Sequence, residues 1–322
     1  MTRPRLAVGA VITASSHGRD PHDPAPDDGG SARRLPGRNL PVAIASGLAL
    51  AGVAVGALYV EQLVFLGLIM ALEAVALHEL HTALRGAGLR PATPVVAGAG
   101  IVMLFGAYLH GPSALAVGLV LAVAGAVLWA MVVDRLDRRR AAGRAATEHA
   151  AGALPGQPGL LGDVAATVLM TCWVPLMAGF IGLLLDRPGG EWYLLATLAL
   201  PVSNDIGAYG VGSQFGRRLL APSVSPGKTC EGLAGGLATV VVLAVAVTSQ
   251  GADFTILIAV CVGLAVVVAS TLGDLTESLL KRDLGLKDLG AVMPGHGGIM
   301  DRIDGILFSL PTAHLVLALF GL

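Results

Sequence analysis

From residue 40 onward the chain alternates between long apolar blocks and short polar ones. The apolar blocks fall at about 40–60, 62–84, 92–110, 113–133, 161–185, 191–212, 231–249, 253–280 and 303–321. Each approaches or exceeds the roughly 20 residues that a helix needs to cross a hydrocarbon core. A backbone inside hydrocarbon must satisfy its own hydrogen bonds, which helices do. The pattern therefore predicts an all-α polytopic membrane protein of about nine transmembrane helices. Residues 1–39 break the pattern. From His17 to Arg38 they are rich in Pro, Asp, Gly and Arg and too polar to bury a core, which predicts a disordered cytosolic tail. Residues 6–14 are mildly apolar but too short to span, and about 25 polar residues separate them from the first block, which argues against a secretory leader.

The basic residues give the blocks an orientation. With the tail inside, the inside segments are 1–39, 85–91, 134–160, 213–230 and 281–302, and they carry 20 of the 21 Lys and Arg. Arg187 is the exception. Such asymmetry predicts the N-terminus in the cytosol and the C-terminus outside. The loop 134–160 holds Arg135, Arg138, Arg139, Arg140 and Arg144. It reads as a basic cytosolic linker, a topology anchor with some attraction for anionic lipid. It separates helices 1–4 (40–133) from a catalytic transmembrane domain of helices 5–9 (161–322).

Composition agrees with a membrane setting: 54% of residues are hydrophobic, 13% are charged and the mean hydropathy is +0.75. A net charge of −1 leaves no global field for nucleic acid. Cys172, Cys230 and Cys261 have no metal or redox spacing and read as free thiols.

Against that background two polar constellations stand out. In the eighth block, Asp274, Glu277, Ser278 and Lys281 lie at i, i+3, i+4 and i+7, so they share one helix face. Snorkelling accounts for Lys281 and Arg282 at a cytosolic helix end, but not for two acids a turn or two deeper. Lys287 and Asp288 follow, then Pro294-Gly295-His296-Gly297-Gly298, and then Asp301, Arg302 and Asp304 at the start of the ninth block. One acid there would suit the helix macrodipole. Two acids, with Asp274 and Glu277 opposite, exceed what capping requires, and carboxylates are typical Mg²⁺ ligands.

The second constellation lies between the sixth and seventh blocks. It comprises Asn204, Asp205, Ala208 and Tyr209, then Arg217 and Arg218, then Ser225-Pro226-Gly227-Lys228-Thr229-Cys230-Glu231-Gly232. Ser225-Pro226 marks a turn, and Thr229 either caps the next helix or faces a ligand. The three lysines, Lys228, Lys281 and Lys287, all fall in these two constellations, while Arg does every other basic job. A compact ammonium suits point contact with phosphate oxygens.

Other polar residues within the blocks read as structural. Glu73, His78, Glu79 and His81 either reach substrate or bond helix to helix, and the second is the stronger reading. Asp163 and Trp173 suit boundary and packing roles, and His110 and His314 fall on the outside half.

The motifs resemble those of the phosphatidate cytidylyltransferase (CDP-diacylglycerol synthase) family. The matching stretch is Ser278-Leu-Leu-Lys281-Arg282, Lys287-Asp288 and His296-Gly297-Gly298-Ile-Met-Asp301-Arg302-Ile303-Asp304, about 27 residues at the family's spacings. Ser225-Pro226-x-Lys228-Thr229-x-Glu231-Gly232 and Asp205…Ala208-Tyr209 resemble two further motifs, so the likeness is strongest over residues 200–310. Gly227 stands where the family often has a second lysine, and Met293 replaces a more usual Leu, Ile or Phe.

The resemblance implies transfer of CMP from CTP to phosphatidate, giving CDP-diacylglycerol and pyrophosphate. It implies Mg²⁺, with a second cation at a two-metal site, held by Asp274, Asp301 and Asp304. Together with Lys281, these acids form the implied catalytic set. Lys228, Lys281 and Arg282 would hold the phosphates of CTP or lipid. Lys287, His296 and Arg302 are further candidates for pyrophosphate or for structural pairing. Ser225, Thr229 and Asp205 would shape the nucleotide pocket, with Glu277 and Ser278 beside the substrates. Implied partners are CTP, phosphatidate and membrane lipid, and a homodimer is compatible. The implied location is the cytoplasmic membrane, with the site facing the cytosol. A CTP-dependent transferase for another lipid phosphate or a polyprenol is the rival within this fold. An ion-coupled transporter is the rival outside it, and the clustering of polar motifs at one face, without internal repeats, opposes it.

Overall fold

The computed structural model describes residues 40–145, 159–221, 225–249, 255–290 and 298–322. The tail 1–39, residues 146–158 of the basic linker and His296 lie outside these residues. Residues Asn39–Leu322 form one compact unit.

Among the described residues the regular structure is helical except for one small hairpin. In order come α1 (Leu40–Val60), α2 (Gln62–Gly86), α3 (Thr93–His110), α4 (Ser113–Ala145), α5 (Leu160–Trp173), α6 (Pro175–Ala178) and α7 (Phe180–Leu185). Then follow α8 (Gly190–Phe215), β1 (Leu219–Ala221), β2 (Ser225–Thr229), α9 (Cys230–Ser249), α10 (Ile256–Asp283) and α11 (Met300–Leu319). Six segments among the described residues are long and apolar enough to cross a membrane: Gln62–Gly86, Thr93–His110, Ser113–Leu136, Leu160–Leu185, Ile256–Asp283 and Met300–Leu319. Ala49–Val60 and Cys230–Ala246 are apolar but shorter.

Two local features differ from the sequence expectation, each for a stated physical reason. The block 161–185 is not one helix but α5, α6 and α7 in succession. Pro175 has no N–H to donate and its ring opposes the carbonyl four residues back, so the ladder breaks there. The segment 213–230 is not simply a loop. β1 and β2 pair antiparallel, with Leu219 opposite Thr229 and Ala221 opposite Ser225. Pro226 is tolerated inside β2 because a two-stranded sheet has only edge strands.

The buried core runs through nearly all the helices, from Leu66, Leu77 and Leu80 of α2 to Met170, Leu184, Val266 and Leu310. Two helix pairs position the polar constellations. α8 packs closely along α9, where a Cβ on Gly235 would come 2.8 Å from the Gly207 carbonyl oxygen. α10 and α11 form a helical hairpin joined by residues 284–299. A Cβ on Gly273 would come 2.6 Å from the Asp304 carbonyl oxygen, so glycine is what lets the two backbones meet there. That contact sets the acids of α10 beside those of α11.

The remaining polar residues of the spans act mainly as ties. Asp163 Oδ1 accepts the Arg90 N–H at 2.7 Å, and His81 Nδ1 meets Thr93 Oγ1 at 2.6 Å. Trp173 packs edge-to-face on Phe308 with ring centroids 6.4 Å apart. Arg187 meets His314 Nδ1 at 3.0 Å. The three cysteines are unpaired.

Candidate active site

α10 enters the site over its last two to three turns. Its register places Asp274 and Glu277 on the side facing α11, as the i, i+3 spacing requires. α11 answers with Asp304 in its second turn. One carboxylate oxygen from each of Asp274, Glu277 and Asp304 lies within 4.8 Å of the others. Asp304 is 8% exposed and Glu277 only 1%.

Such a group repels itself. Two unit charges 4–5 Å apart near a protein surface repel by on the order of 3–4 kcal/mol per pair. The structure supplies two lysines in partial compensation. Lys228 of β2 forms an ion pair with Asp274. Lys281 Nζ lies 3.2 Å from Glu277 Oε2 and 3.0 Å from Asp301 Oδ1. Glu277 Oε1 nonetheless has no hydrogen-bond partner among the described residues, although it is buried. An all-oxygen donor set with a buried unpartnered oxygen fits a hard divalent cation such as Mg²⁺.

Asp301 has a different setting from the three clustered acids. Besides Lys281, it accepts the Gly298 N–H on Oδ2 at 2.8 Å and the Leu289 N–H on Oδ1 at 3.5 Å. It thus closes the first turn of α11 while neighbouring Glu277. Of the acids expected to hold metal, Asp274 and Asp304 come together, and Glu277 rather than Asp301 completes their group.

The β1–β2 hairpin carries Lys228 to the cluster. Glu231 at the start of α9 accepts the N–H groups of Arg217 and Arg218 at 3.0 and 3.1 Å, and the Cys230 N–H donates to the Arg218 carbonyl at 2.8 Å. These bonds hold the hairpin against the end of α8. Thr229 is used as a cap, since its Oγ1 accepts the Gly232 N–H at 3.1 Å. Asp205, on the exposed side of α8, is within electrostatic range of Lys228, Asp274 and Asp304. The hairpin, α8, α10 and α11 therefore converge on one polar focus.

The other expected residues lie around this focus. Ser278 is half-buried on α10. Arg282, Lys287 and Arg302 are exposed near the α10–α11 connection. Ser225 is in β2 with only its backbone described, and His296 lies outside the described residues.

One residue beyond the expected set belongs to this region. Glu79 of α2 accepts the Ile299 N–H on Oε1 at 3.1 Å and the Met300 N–H on Oε2 at 2.9 Å. Its signal in the sequence was an acid within an apolar run. Its partner was not readable, because it lies 220 residues away.

Chemically, the site pairs a cation-binding carboxylate group with lysines from two separate elements. That arrangement suits a reaction in which two phosphate-bearing molecules must approach each other. A profile of the cytidylyltransferase family matches residues 41–320. A protein of Mycobacterium leprae named phosphatidate cytidylyltransferase is 36% identical over 286 residues, covering 88% of this chain and 89% of that protein. One of Mycobacterium bovis with the same name is 35% identical over 284 residues, 88% of this chain and 90% of its own length. A namesake in Bacillus subtilis is 42% identical over 135 residues, 41% of this chain and 49% of its own.

Proposed function

The chain belongs to the cytidylyltransferase family, and we propose that it is a phosphatidate cytidylyltransferase, which makes CDP-diacylglycerol and pyrophosphate from CTP and phosphatidate. The observation that carries this reading is the meeting of Asp274, Glu277 and Asp304 with Lys228 and Lys281. Similarity to namesakes over 88% of the chain supports the choice of substrates.

The chemistry needs no covalent enzyme intermediate. A phosphate oxygen of phosphatidate attacks the α-phosphorus of CTP. The bond from that phosphorus to the bridging oxygen breaks, and pyrophosphate leaves with the electron pair. Both partners are anions, so the barrier is largely one of repulsion and of charge on the departing group. Lys228 and Lys281 hold phosphate oxygens, with Arg282, Lys287 and Arg302 as further contacts at the rim. Asp301 orients the Lys281 ammonium. Asp205, Ser225, Thr229 and Ser278 line the nucleotide side. Asp274, Glu277 and Asp304 would hold Mg²⁺, which would supply charge neutralisation at the phosphates.

The topology belongs to the same proposal. Nine helices cross the cytoplasmic membrane, with the N-terminus in the cytosol and the C-terminus outside. Residues 40–133 form an N-terminal helical region, 134–160 a basic linker and 161–322 the catalytic region. The concentration of Lys and Arg in one set of segments supports this orientation. It opens the site to cytosolic CTP while the lipid tails stay in the bilayer.

The deciding experiment supplies purified protein with CTP, Mg²⁺ and a panel of lipid phosphates, and measures pyrophosphate and the CDP-lipid. Product with phosphatidate in preference to isoprenoid or polyprenyl phosphates is expected. Turnover confined to another lipid phosphate would overturn the substrate while leaving the reaction type intact.

A further inference from the structure

Glu79 has no part in the transfer as derived above, yet among the described residues it is one of the most enclosed acids, 2% exposed. The first N–H groups of a helix have no partner inside the helix. In α11 the residue at the cap position is Ile299, whose side chain has no oxygen to offer. The cap therefore comes from elsewhere: Glu79 accepts the Ile299 and Met300 N–H groups, one on each oxygen. The preceding N–H, of Gly298, goes to Asp301. Three successive amides entering α11 are thus satisfied by two carboxylates, one of them on α2.

The glycines around Glu79 are matched to its head group. A Cβ on Gly290 would come 2.2 Å from Glu79 Cδ, and one on Gly298 would come 2.5 Å from Oε2. Both sides of the connection between α10 and α11 thus seat on a single side chain of another helix. A slip of one residue in the start of α11 would turn Asp301 and Asp304 by about 100° around the helix axis.

We propose that Glu79 is a positioning residue for the cation site: by capping α11 from α2, it sets the rotation at which Asp304 meets Asp274 and Glu277 and at which Asp301 meets Lys281. This rests on reading the carboxylate group as a cation site. Outer residues that orient metal ligands typically change metal affinity 10–100-fold when altered, which is the scale expected here.

The test uses full-length protein in detergent and reads Mn²⁺ binding by the resonance signal of the free ion, alongside turnover of CTP and phosphatidate. Glu79→Gln keeps the volume but points an amide N–H₂ at one of the two backbone N–H groups, so one bond is lost. The expected result is a Kd for Mn²⁺ raised about 10-fold or more, a parallel rise in the Mg²⁺ needed for half-maximal turnover, and near-normal KM for CTP at saturating Mg²⁺. Helical circular dichroism and elution volume stay as in the wild type. Gly290→Ala displaces the same carboxylate without removing it and should act in the same direction. Wild-type Mn²⁺ affinity in a folded Glu79→Gln protein overturns the proposal. If that variant does not fold, wild-type affinity in Gly290→Ala does so, and failure of both to fold assigns Glu79 to stability alone. A wild-type protein that binds Mn²⁺ in a Glu79-dependent way but ignores phosphatidate removes the proposed reaction and leaves the positioning role standing. One that binds no Mn²⁺ removes the cation site and this role with it.

Discussion

Lys281 of α10 and Asp301 of α11 meet across the helical hairpin, Nζ to Oδ1, at 3.0 Å. The pair separates two tasks that the motif alone leaves merged. Asp301 holds a lysine and the first turn of its own helix, while Asp274, Glu277 and Asp304 form the carboxylate group beside it. Both partners of the pair are substantially buried, so removing one strands the other. Asp301→Asn and Lys281→Met should each lower the thermal midpoint. The double variant should be less destabilised than the sum, with a coupling of about 1–3 kcal/mol. Denaturation of the four proteins in one detergent measures it. Strict additivity would show that the two side chains do not interact.

The same division predicts two kinetic phenotypes. Asp304→Asn and Asp274→Asn remove donors of the carboxylate group and should raise the Mg²⁺ needed for half-maximal turnover by about 10-fold or more. Asp301→Asn should instead lower kcat by about 100-fold at saturating Mg²⁺, on the scale of losing a preorganised electrostatic contact. Mg²⁺ titrations of all three variants distinguish the cases. A larger Mg²⁺ requirement in Asp301→Asn than in Asp304→Asn would place Asp301 among the metal ligands after all. Chelation of the divalent ion with EDTA should abolish turnover, and added Mg²⁺ should restore it.

Lys228 reaches Asp274 from the β1–β2 hairpin, an element otherwise remote from α10 in sequence. An arginine keeps the charge but replaces a compact ammonium with a planar fork that needs more room. Lys228→Arg should therefore lower kcat/KM for CTP or for phosphatidate by about 10-fold or more, and Lys228→Met should lower it further. Equal kinetics for Lys228→Arg and wild type would mean that the confinement of lysine to these loops has no chemical cause.

Much of this arrangement is legible in the sequence, and the limits have physical reasons. Asp274, Glu277 and Lys281 could be placed on one face because helical periodicity is local. Lys228 could be drawn to the same site because lysine is rare in the chain, with Arg used elsewhere. The choice between Glu277 and Asp301 as the third clustered acid was not legible, since it depends on how α10 and α11 are rotated against each other at Gly273. Pro226 disguised β2 as a turn, because its ring signals a break whether or not an edge strand follows. Glu79 was recognisable only as an acid in an apolar run, because which helix lies beside α2 is a property of the assembled bundle.

Glu73 shows how differently two acids of one helix can be treated. It lies six residues before Glu79 on α2 and is 3% exposed, yet neither carboxyl oxygen has a hydrogen-bond partner among the described residues. It packs against α3, where a Cβ on Gly100 would come 2.2 Å from Oε1. A buried polar group left unpaired costs about 1–3 kcal/mol relative to an apolar group of similar shape. Glu73→Met replaces the forked head with a flexible thioether of similar length that adapts to irregular space. The thermal midpoint should rise, by an amount equivalent to about 1–3 kcal/mol. Turnover should stay within about 3-fold of wild type, since Glu73 is not one of the three clustered acids. Thermal scans and initial rates on the same preparation check both statements. A stable variant that has lost turnover would give Glu73 a part in the reaction. A lowered midpoint would mean that its carboxyl stabilises the fold and that an apolar side chain does not fit between α2 and α3.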